Sequence, residues 1–376
     1  MRQQQNISNG VKILLTGGGT IGSVSPLLAI ISKLKEKGIK TDSLFLGSYN
    51  GAEKELIENH KISYRPIFSG KLRRYFSFKN FIDPIFIFLG FIQSFFIILK
   101  FKPDIIISAG SFISVPVIWA GWIFKIPSLV HQQDVTPGLA NKLMAKAASK
   151  ITVTFRKSLK DFPENKVIWT GNPSRFDLAH INEDLEGKKQ KAREFFRLEN
   201  NSPVILVIGG GTGALSLNKL IVEELSELTK FCQIIHLTGK NKLENCPPAG
   251  GLKIENYNHY HPYEFLTKEM LDAFLVADLI ICRAGMGTLT EISLLGKPAI
   301  IIPMPLSHQE KNAEIFAREN AALVLGEANL TSEILAGQIK NLLNDKNKME
   351  SFSKNIKSVI KGGGEERIAE EILNLL

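Results

Sequence analysis

The sequence predicts an α/β protein of two Rossmann-like domains facing a cleft, and three observations predict it. Short apolar runs alternate with amphipathic stretches along the chain, the pattern of βαβ units around parallel sheets. Each half opens with the same device, a strand-like run ending in a glycine-rich turn and a helix start. Val11–Leu15 runs into Thr16-Gly17-Gly18-Gly19-Thr20-Ile21-Gly22, and Val204–Ile208 runs into Gly209-Gly210-Gly211-Thr212-Gly213-Ala214. Between the halves, a polar, charged stretch from Asp177 to Arg193 interrupts the alternation and reads as a linker plus an exposed helix start. At 376 residues the chain is too long for one ordinary core and suits two α/β domains.

In the first half the predicted strands are Val11–Leu15, Leu44–Leu46, Ile105–Ser108, Ser128–His131 and Ile151–Phe155. Helix-like segments fall between them at Pro26–Lys37, Glu53–His60 and Leu139–Ala148. The second half offers strands at Val204–Ile208, Ile234–Leu237, Leu279–Cys282 and Ala299–Ile302, with helices at Thr212–Leu228, Lys268–Val276, Thr288–Leu295 and Gln309–Glu319. The tail, Lys348–Leu376, is helical in pattern but broken at Gly362-Gly363-Gly364, which lets a last helix cross back to the first domain. The expected domains are therefore 1–176 with about 356–376, and 177–355.

Hydrophobic residues make up 44% and charged residues 22%, the balance of a folded chain rather than a disordered one. A net charge of +9 favours anionic partners, whether phosphates, acidic lipid or nucleic acid, and does not choose among them. Cys232, Cys246 and Cys282 lie in no metal-ligand or paired spacing, so a reducing compartment is expected. The N-terminus leads into the first strand without an apolar signal segment, so secretion is not expected. Phe81–Leu99 is nearly all apolar and preceded by Lys71, Arg73, Arg74 and Lys79. Its length suits a membrane span, but Asp83-Pro84, Gly90 and Gln93-Ser94 interrupt it. A core helix rarely needs Phe and Ile on every side. A helix partly buried in protein and partly dipped into an anionic interface fits both features.

Glycines at a strand-to-helix turn let backbone approach a ligand, and the helix N-terminus then offers N–H groups to a phosphate. One such loop is as readily a tight turn that binds nothing; two at matching places favour a phosphate-handling cleft. A dehydrogenase would need an acidic residue after the second strand, and that strand ends Leu44-Phe45-Leu46-Gly47. The most specific stretch is Ala277–Glu291, where a buried strand ends at Arg283-Ala284-Gly285 and a helix follows. The N–H groups at Met286, Gly287 and Thr288 suit a phosphate, and Glu291 suits ribose hydroxyls, although an acid is also simply favourable near a helix start. Pro303–Ala313 is a polar loop where a ligand over the strand ends would be met.

Those last two segments look like the donor-binding region of GT-B glycosyltransferases, and the whole chain resembles the MurG family. These N-acetylglucosaminyltransferases convert the undecaprenyl-diphosphate-muramoyl-pentapeptide lipid into the complete peptidoglycan precursor. The similarity runs in order from about Val11 to the tail. It takes in the first glycine loop, Lys102-Pro103-Asp104, Ser108-Ala109-Gly110-Ser111, His131–Lys142 and Gly171-Asn172-Pro173-Ser174-Arg175, then the second glycine loop, Cys282–Glu291 and His308–Ala313. The resemblance implies inverting transfer from UDP-GlcNAc to the muramoyl 4-hydroxyl, with no metal and no cofactor. It implies a peripheral enzyme on the cytoplasmic, anionic membrane face, working with other wall-synthesis proteins and not with nucleic acid. By position, Gly18, Gly19, Thr20, Gly22 and Ser23 would form the acceptor-diphosphate loop. Arg175 and the loop holding Gly211, Thr212 and Gly213 would approach the donor diphosphate. Phe265 or Leu266 would meet the uracil, Glu291 the ribose, and Gln309 with Asn312 the N-acetylglucosamine.

The chain departs from the family where the proton chemistry belongs. The family's first loop usually reads Gly-Gly-Thr-Gly-Gly-His and here ends in Ser23; its His-Glu-Gln-Asn is here His131-Gln132-Gln133-Asp134. Two familiar ionisable groups are missing and a new carboxylate is present. The candidates for the base are Asp134, which otherwise begins a turn or caps a helix, and His131, which otherwise is a packed strand-end residue. A transferase for another lipid, a nucleotide-sugar epimerase and a non-catalytic nucleotide-sugar-binding protein are the alternatives.

Overall fold

A computed structural model describes residues 10–19, 21–51, 53–70, 79–176, 181, 183–246, 248 and 254–376. The chain divides into two compact units, Met1–Arg175 with Lys361–Leu376, and Phe176–Ile360. In the first, the described strands are β1 (Val11–Thr16), β2 (Thr41–Gly47), β3 (Ser63–Pro66), β4 (Ile105–Ser108), β5 (Ser128–Gln132), β6 (Lys150–Val153) and β7 (Val167–Trp169). They form one parallel sheet in the order β3-β2-β1-β4-β5-β6-β7. The second unit repeats the plan with β8 (Val204–Ile208), β9 (Gln233–Leu237), β10 (Tyr260–Tyr263), β11 (Leu279–Cys282), β12 (Ala299–Ile301) and β13 (Leu323–Val324), ordered β10-β9-β8-β11-β12-β13. Strand order reverses between β1 and β4 and again between β8 and β11. Loops diverge from the strand ends at those points and leave crevices, where such sheets bind ligands.

Both faces of each sheet are covered, so the central strands are apolar throughout rather than alternating. In the first unit Ile13 and Leu15 pack under Leu27, Ile30 and Leu34 of the helix Ser25–Glu36. The same cluster takes in Ile368, Ala369 and Ile372 of the last helix, Gly364–Leu375. Leu14, one position along β1, faces the other way with Ile106, Val117, Val130 and Met144. In the second unit Ile205, Val207 and Ile281 pack with Leu217 and Ile221, and with Leu335 and Ile339 of the helix Ser332–Asn344.

The strands read from sequence are the central ones. β3, β7, β10 and β13 are edge strands of two to four residues. β3 and β10 carry no apolar run, β7 and β13 are apolar but only three and two residues long, and β10 holds Pro262 at a position only an edge tolerates.

The apolar segment forms the helix Lys79–Phe101. Its inward stripe is made largely of small residues, while several of its large apolar ones face out. Gly90, Ser94 and Ile98 are buried, four residues apart on one stripe, and a β-carbon on Gly90 would lie 2.0 Å from the Phe68 carbonyl oxygen. Ile85, Phe88, Phe96 and Leu99 are each at least 45% exposed, and Trp122 and Ile123 of the adjoining helix Ser114–Ile123 are 55% and 50% exposed. One face of the helix therefore packs on the core and the opposite face is uncovered among the described residues. Lys71, Arg73 and Arg74, and the side chain of Lys79, lie outside the described residues.

Candidate active site

In the first unit, β1 delivers the first glycine loop to the switch point. Gly18 adopts φ +133°, and a β-carbon there would meet Glu53 Oε1 at 2.4 Å and Ile113 Cδ1 at 2.9 Å, so only glycine fits. Ser23 is buried and its hydroxyl accepts a hydrogen bond from the Gly18 N–H at 3.0 Å. Where the family pattern carries a histidine, this chain carries a fastener for the loop. Gly19 and Gly22 are exposed, and Thr20 lies outside the described residues.

Glu53, which sequence reading passed over, is fully buried behind this loop. Its Oε1 accepts from the Ser48 N–H at 2.9 Å and from the Ser48 hydroxyl, with the Tyr64 hydroxyl 3.4 Å away. Burial, and then the neighbouring carboxylate, push the Tyr64 phenol far above its ordinary range.

β5 ends the other wall. His131 is fully buried between Thr152 Oγ1, 2.9 Å from Nδ1, and Asn172 Oδ1, 2.8 Å from Nε2. Asn172 Oδ1 can only accept, so Nε2 carries the proton and Nδ1 accepts from Thr152. Burial lowers the His131 pKa to about 4. Gln132 donates through Nε2 to the Asp134 carbonyl at 2.7 Å and accepts through Oε1 from Asn141. A glutamate in its place could not donate to that carbonyl. Asp134 is half-buried, two residues past the strand end.

The second unit builds its site on the same plan. Gly213 adopts φ +74° and a β-carbon there would lie 2.2 Å from the Thr238 carbonyl oxygen, pressing the loops after β8 and β9 together. The Gly213 N–H closes a turn onto the Gly210 carbonyl at 2.9 Å, while Gly210, Gly211 and Thr212 are exposed at its tip. The Lys242 ammonium donates to the Gly213 carbonyl at 2.9 Å, placing a cation at this loop that its sequence position did not signal.

After β11, the helix Met286–Leu295 starts at Gly285 with no side-chain cap, and β-carbons on Gly285 or Gly287 would meet nothing within 4 Å. Room and N–H groups coincide there, with Thr288 half-buried. Met286 and Glu291 are buried in the same helix, 5% and 6% exposed. Gln309 Oε1 accepts from the N–H groups of Ala284 and Met304 at 3.2 and 3.1 Å, and Asn312 donates to the Ala284 carbonyl at 3.2 Å. Both therefore fix the end of β11. Leu266 is buried, Phe265 is 53% exposed, and Arg175, the last residue of its segment of the first unit, is exposed.

Arg283, also unassigned from sequence, braces this site. Its guanidinium is buried and forks onto Glu327 at 2.7 and 3.0 Å, with further bonds to Ser216 Oγ and to the Ile302 and Pro303 carbonyls. That hydrogen-bonded partner holds the Glu327 carboxyl below its usual range. The available signal was a basic residue directly ending a four-residue apolar strand.

Among the described residues no group of three His, Cys, Asp or Glu could hold a metal ion.

The buried histidines set an acid limit. His236, held by Tyr260 and Asn218, is also fully buried, its pKa lowered to about 3. Each ring's folded pKa lies below its ordinary 6.5, so at intermediate pH the unfolded chain binds more protons. Their stabilising contribution is complete above pH ~6.5 and is lost as pH falls toward 4, about 3 kcal/mol for His131. Scanning calorimetry should show Tm falling steadily from pH 7 to 4.5; a flat Tm would show that the rings take up protons without unfolding.

The chain matches the models for the glycosyltransferase family 28 N-terminal domain over residues 13–153 and C-terminal domain over residues 204–372. A Bacillus thuringiensis protein named UDP-N-acetylglucosamine--N-acetylmuramyl-(pentapeptide) pyrophosphoryl-undecaprenol N-acetylglucosamine transferase 3 is 40% identical over 335 residues, 88% of this chain and 91% of that protein. The chain belongs to the MurG family. A Clostridium perfringens transferase of the same name, without the numeral, is 39% identical over 365 residues, 96% of this chain and 97% of its own. The fold is GT-B, and the crystal structure of Acinetobacter baumannii MurG superposes with a TM-score of 0.69, at 21% identity, over 97% of this chain and 99% of that one. A Neisseria meningitidis UDP-GlcNAc 2-epimerase bound to UDP-GlcNAc has a TM-score of 0.67 at 16% identity, covering 97% and 100%. The backbone alone is thus shared by transferases and epimerases, and the MurG assignment rests on the full-length sequence match.

Proposed function

We propose that this chain transfers N-acetylglucosamine from UDP-N-acetylglucosamine to the muramoyl 4-hydroxyl of the undecaprenyl-diphosphate-linked pentapeptide, with inversion. The observation that carries this reading is the full-length similarity to transferases so named. The first unit receives the lipid diphosphate at Gly18–Ser23, and the second receives the donor at Gly210–Gly213 and Met286–Glu291. Helix N–H groups of the second unit stabilise the departing UDP without a metal. Asp134 takes the proton, with His131 a fixed support behind it. Incubation with UDP-N-acetylglucosamine should release UDP only when lipid-linked muramoyl pentapeptide is present. Conversion of the sugar nucleotide without acceptor would make the chain an epimerase, and donor binding without turnover would make it a sensor. Ser23 and Gln132 favour one second reading, a different lipid acceptor, which the same assay with other undecaprenyl-diphosphate sugars separates.

The outward apolar face of Lys79–Phe101, with Trp122 and Ile123, serves as the membrane contact on the cytoplasmic side. Each ring entering hydrocarbon contributes about 1–2 kcal/mol. Changing Phe88, Phe96 and Trp122 together to Ser should therefore lower partitioning onto anionic vesicles by roughly a hundredfold or more. Unchanged sedimentation with vesicles would remove the face from this role; wild type retained after carbonate extraction would make it a span.

A further inference from the structure

The segment that follows the second unit returns to the first unit beside β5. Arg367 donates through Nε and Nη2 to the Thr170 carbonyl, at 2.8 and 2.5 Å, and through Nη2 also to the Gly362 carbonyl. Glu365 accepts from the Ser174 N–H at 3.1 Å, and the Lys361 ammonium lies 4.6 Å over the Trp169 ring. Backbone meets backbone here. A β-carbon on Gly171, at φ +82°, would lie 2.0 Å from the Lys361 carbonyl oxygen, and one on Gly364 would lie 2.5 Å from the Asn172 carbonyl carbon. Residues 170–174 and 361–367 thus form one clasp.

The clasp leads directly to the proposed acceptor wall. Asn172, 1% exposed, accepts the His131 Nε2 proton at 2.8 Å, and Thr154 Oγ1 lies 3.3 Å from both Asn172 Oδ1 and the Gln132 carbonyl. His131 is joined to Gln132, whose amide holds the Asp134 carbonyl. We infer that Arg367 is a positioning residue for the transfer reaction, acting through Thr170–Asn172 and His131 on the segment Gln132–Asp134. This rests on the transferase reading above. It makes the C-terminal segment part of the acceptor machinery and not merely a helix that covers a core.

The experiment measures kcat, the KM for each substrate and Tm in the full chain, with wild type assayed in parallel. Arg367→Gln should lower kcat about 10- to 100-fold with the UDP-N-acetylglucosamine KM within about twofold, and Arg367→Lys should recover part of the loss. Gly171→Ala breaks the same clasp without changing charge, so it should reproduce the effect, and the double variant should be no worse than either alone. Glu366→Gln loses the helix's ion pairs to Lys33 and Lys37 and leaves the clasp intact, so its kcat should match wild type. Equal kcat losses in Glu366→Gln and Arg367→Gln would overturn the inference in favour of simple helix docking. So would an unchanged kcat in Arg367→Gln, or additive losses in the double variant. An inactive wild type would instead refute the transferase reading, and an active Asp134→Asn would refute the base assignment while leaving the clasp measurable.

Discussion

Asp134→Asn is expected to lower kcat by about two to four orders of magnitude while both KM values stay nearly unchanged. Asparagine keeps the shape and the turn hydrogen bonding but cannot take a proton. Asp134 lies beyond the end of β5, half-buried, on a loop whose backbone Gln132 holds. The other ionisable candidate is poorly suited to proton uptake. His131 is sealed from solvent, its Nε2 proton is committed to Asn172, and its pKa is near 4. His131→Gln should therefore cost stability more than it reshapes the pH–rate profile. If Asp134→Asn turns over at close to the normal rate, the proton leaves by another route and Asp134 is only a turn residue.

Arg283→Met should strongly destabilise the second unit. It strands Glu327, whose side chain is 17% exposed, without the guanidinium that hydrogen-bonds both its oxygens. Breaking a buried pair from one side costs about 3–5 kcal/mol, and the partial exposure of Glu327 puts the loss near the lower figure, which for a unit of this size lowers Tm by roughly 10 °C. Donor affinity should fall with it, because the same guanidinium ties Ser216, beside the second glycine loop, to the carbonyls of Ile302 and Pro303. Arg283→Met with Glu327→Leu should recover most of the lost Tm but not the donor affinity. A double variant as unstable as the single one would show that Arg283 stabilises by packing rather than by pairing.

Much of the proposed donor region was legible as local structure because its parts are contiguous. A four-residue apolar strand, a glycine turn and a helix start with Glu291 follow one another in fifteen residues, and the roles proposed for them rest on helix-end chemistry. Gln309 and Asn312 were expected from sequence to meet the sugar, but their contacts were not legible: both hold the backbone of Ala284, an arrangement fixed 25 and 28 residues away. Glu53 gave no signal at all, since an acid opening a short helix reads as ordinary, and only the fold places it against Gly18.

The sequence by itself determined what depends on local pattern: the central strands, the two glycine loops, the family, and the replacement of two ionisable groups by Ser23 and Gln132. Tertiary structure decided what depends on distant neighbours. It turned Gly90 and Ser94, which look like flaws in an apolar helix, into the stripe that packs inward, leaving Phe88 and Phe96 outside. It made Ser23 a loop fastener, His131 a sealed support, and Arg367 a neighbour of Thr170 across 197 positions. Periodicity and propensity act over one or two turns of chain, whereas burial and hydrogen-bond partnership are set by whichever segments the fold brings together.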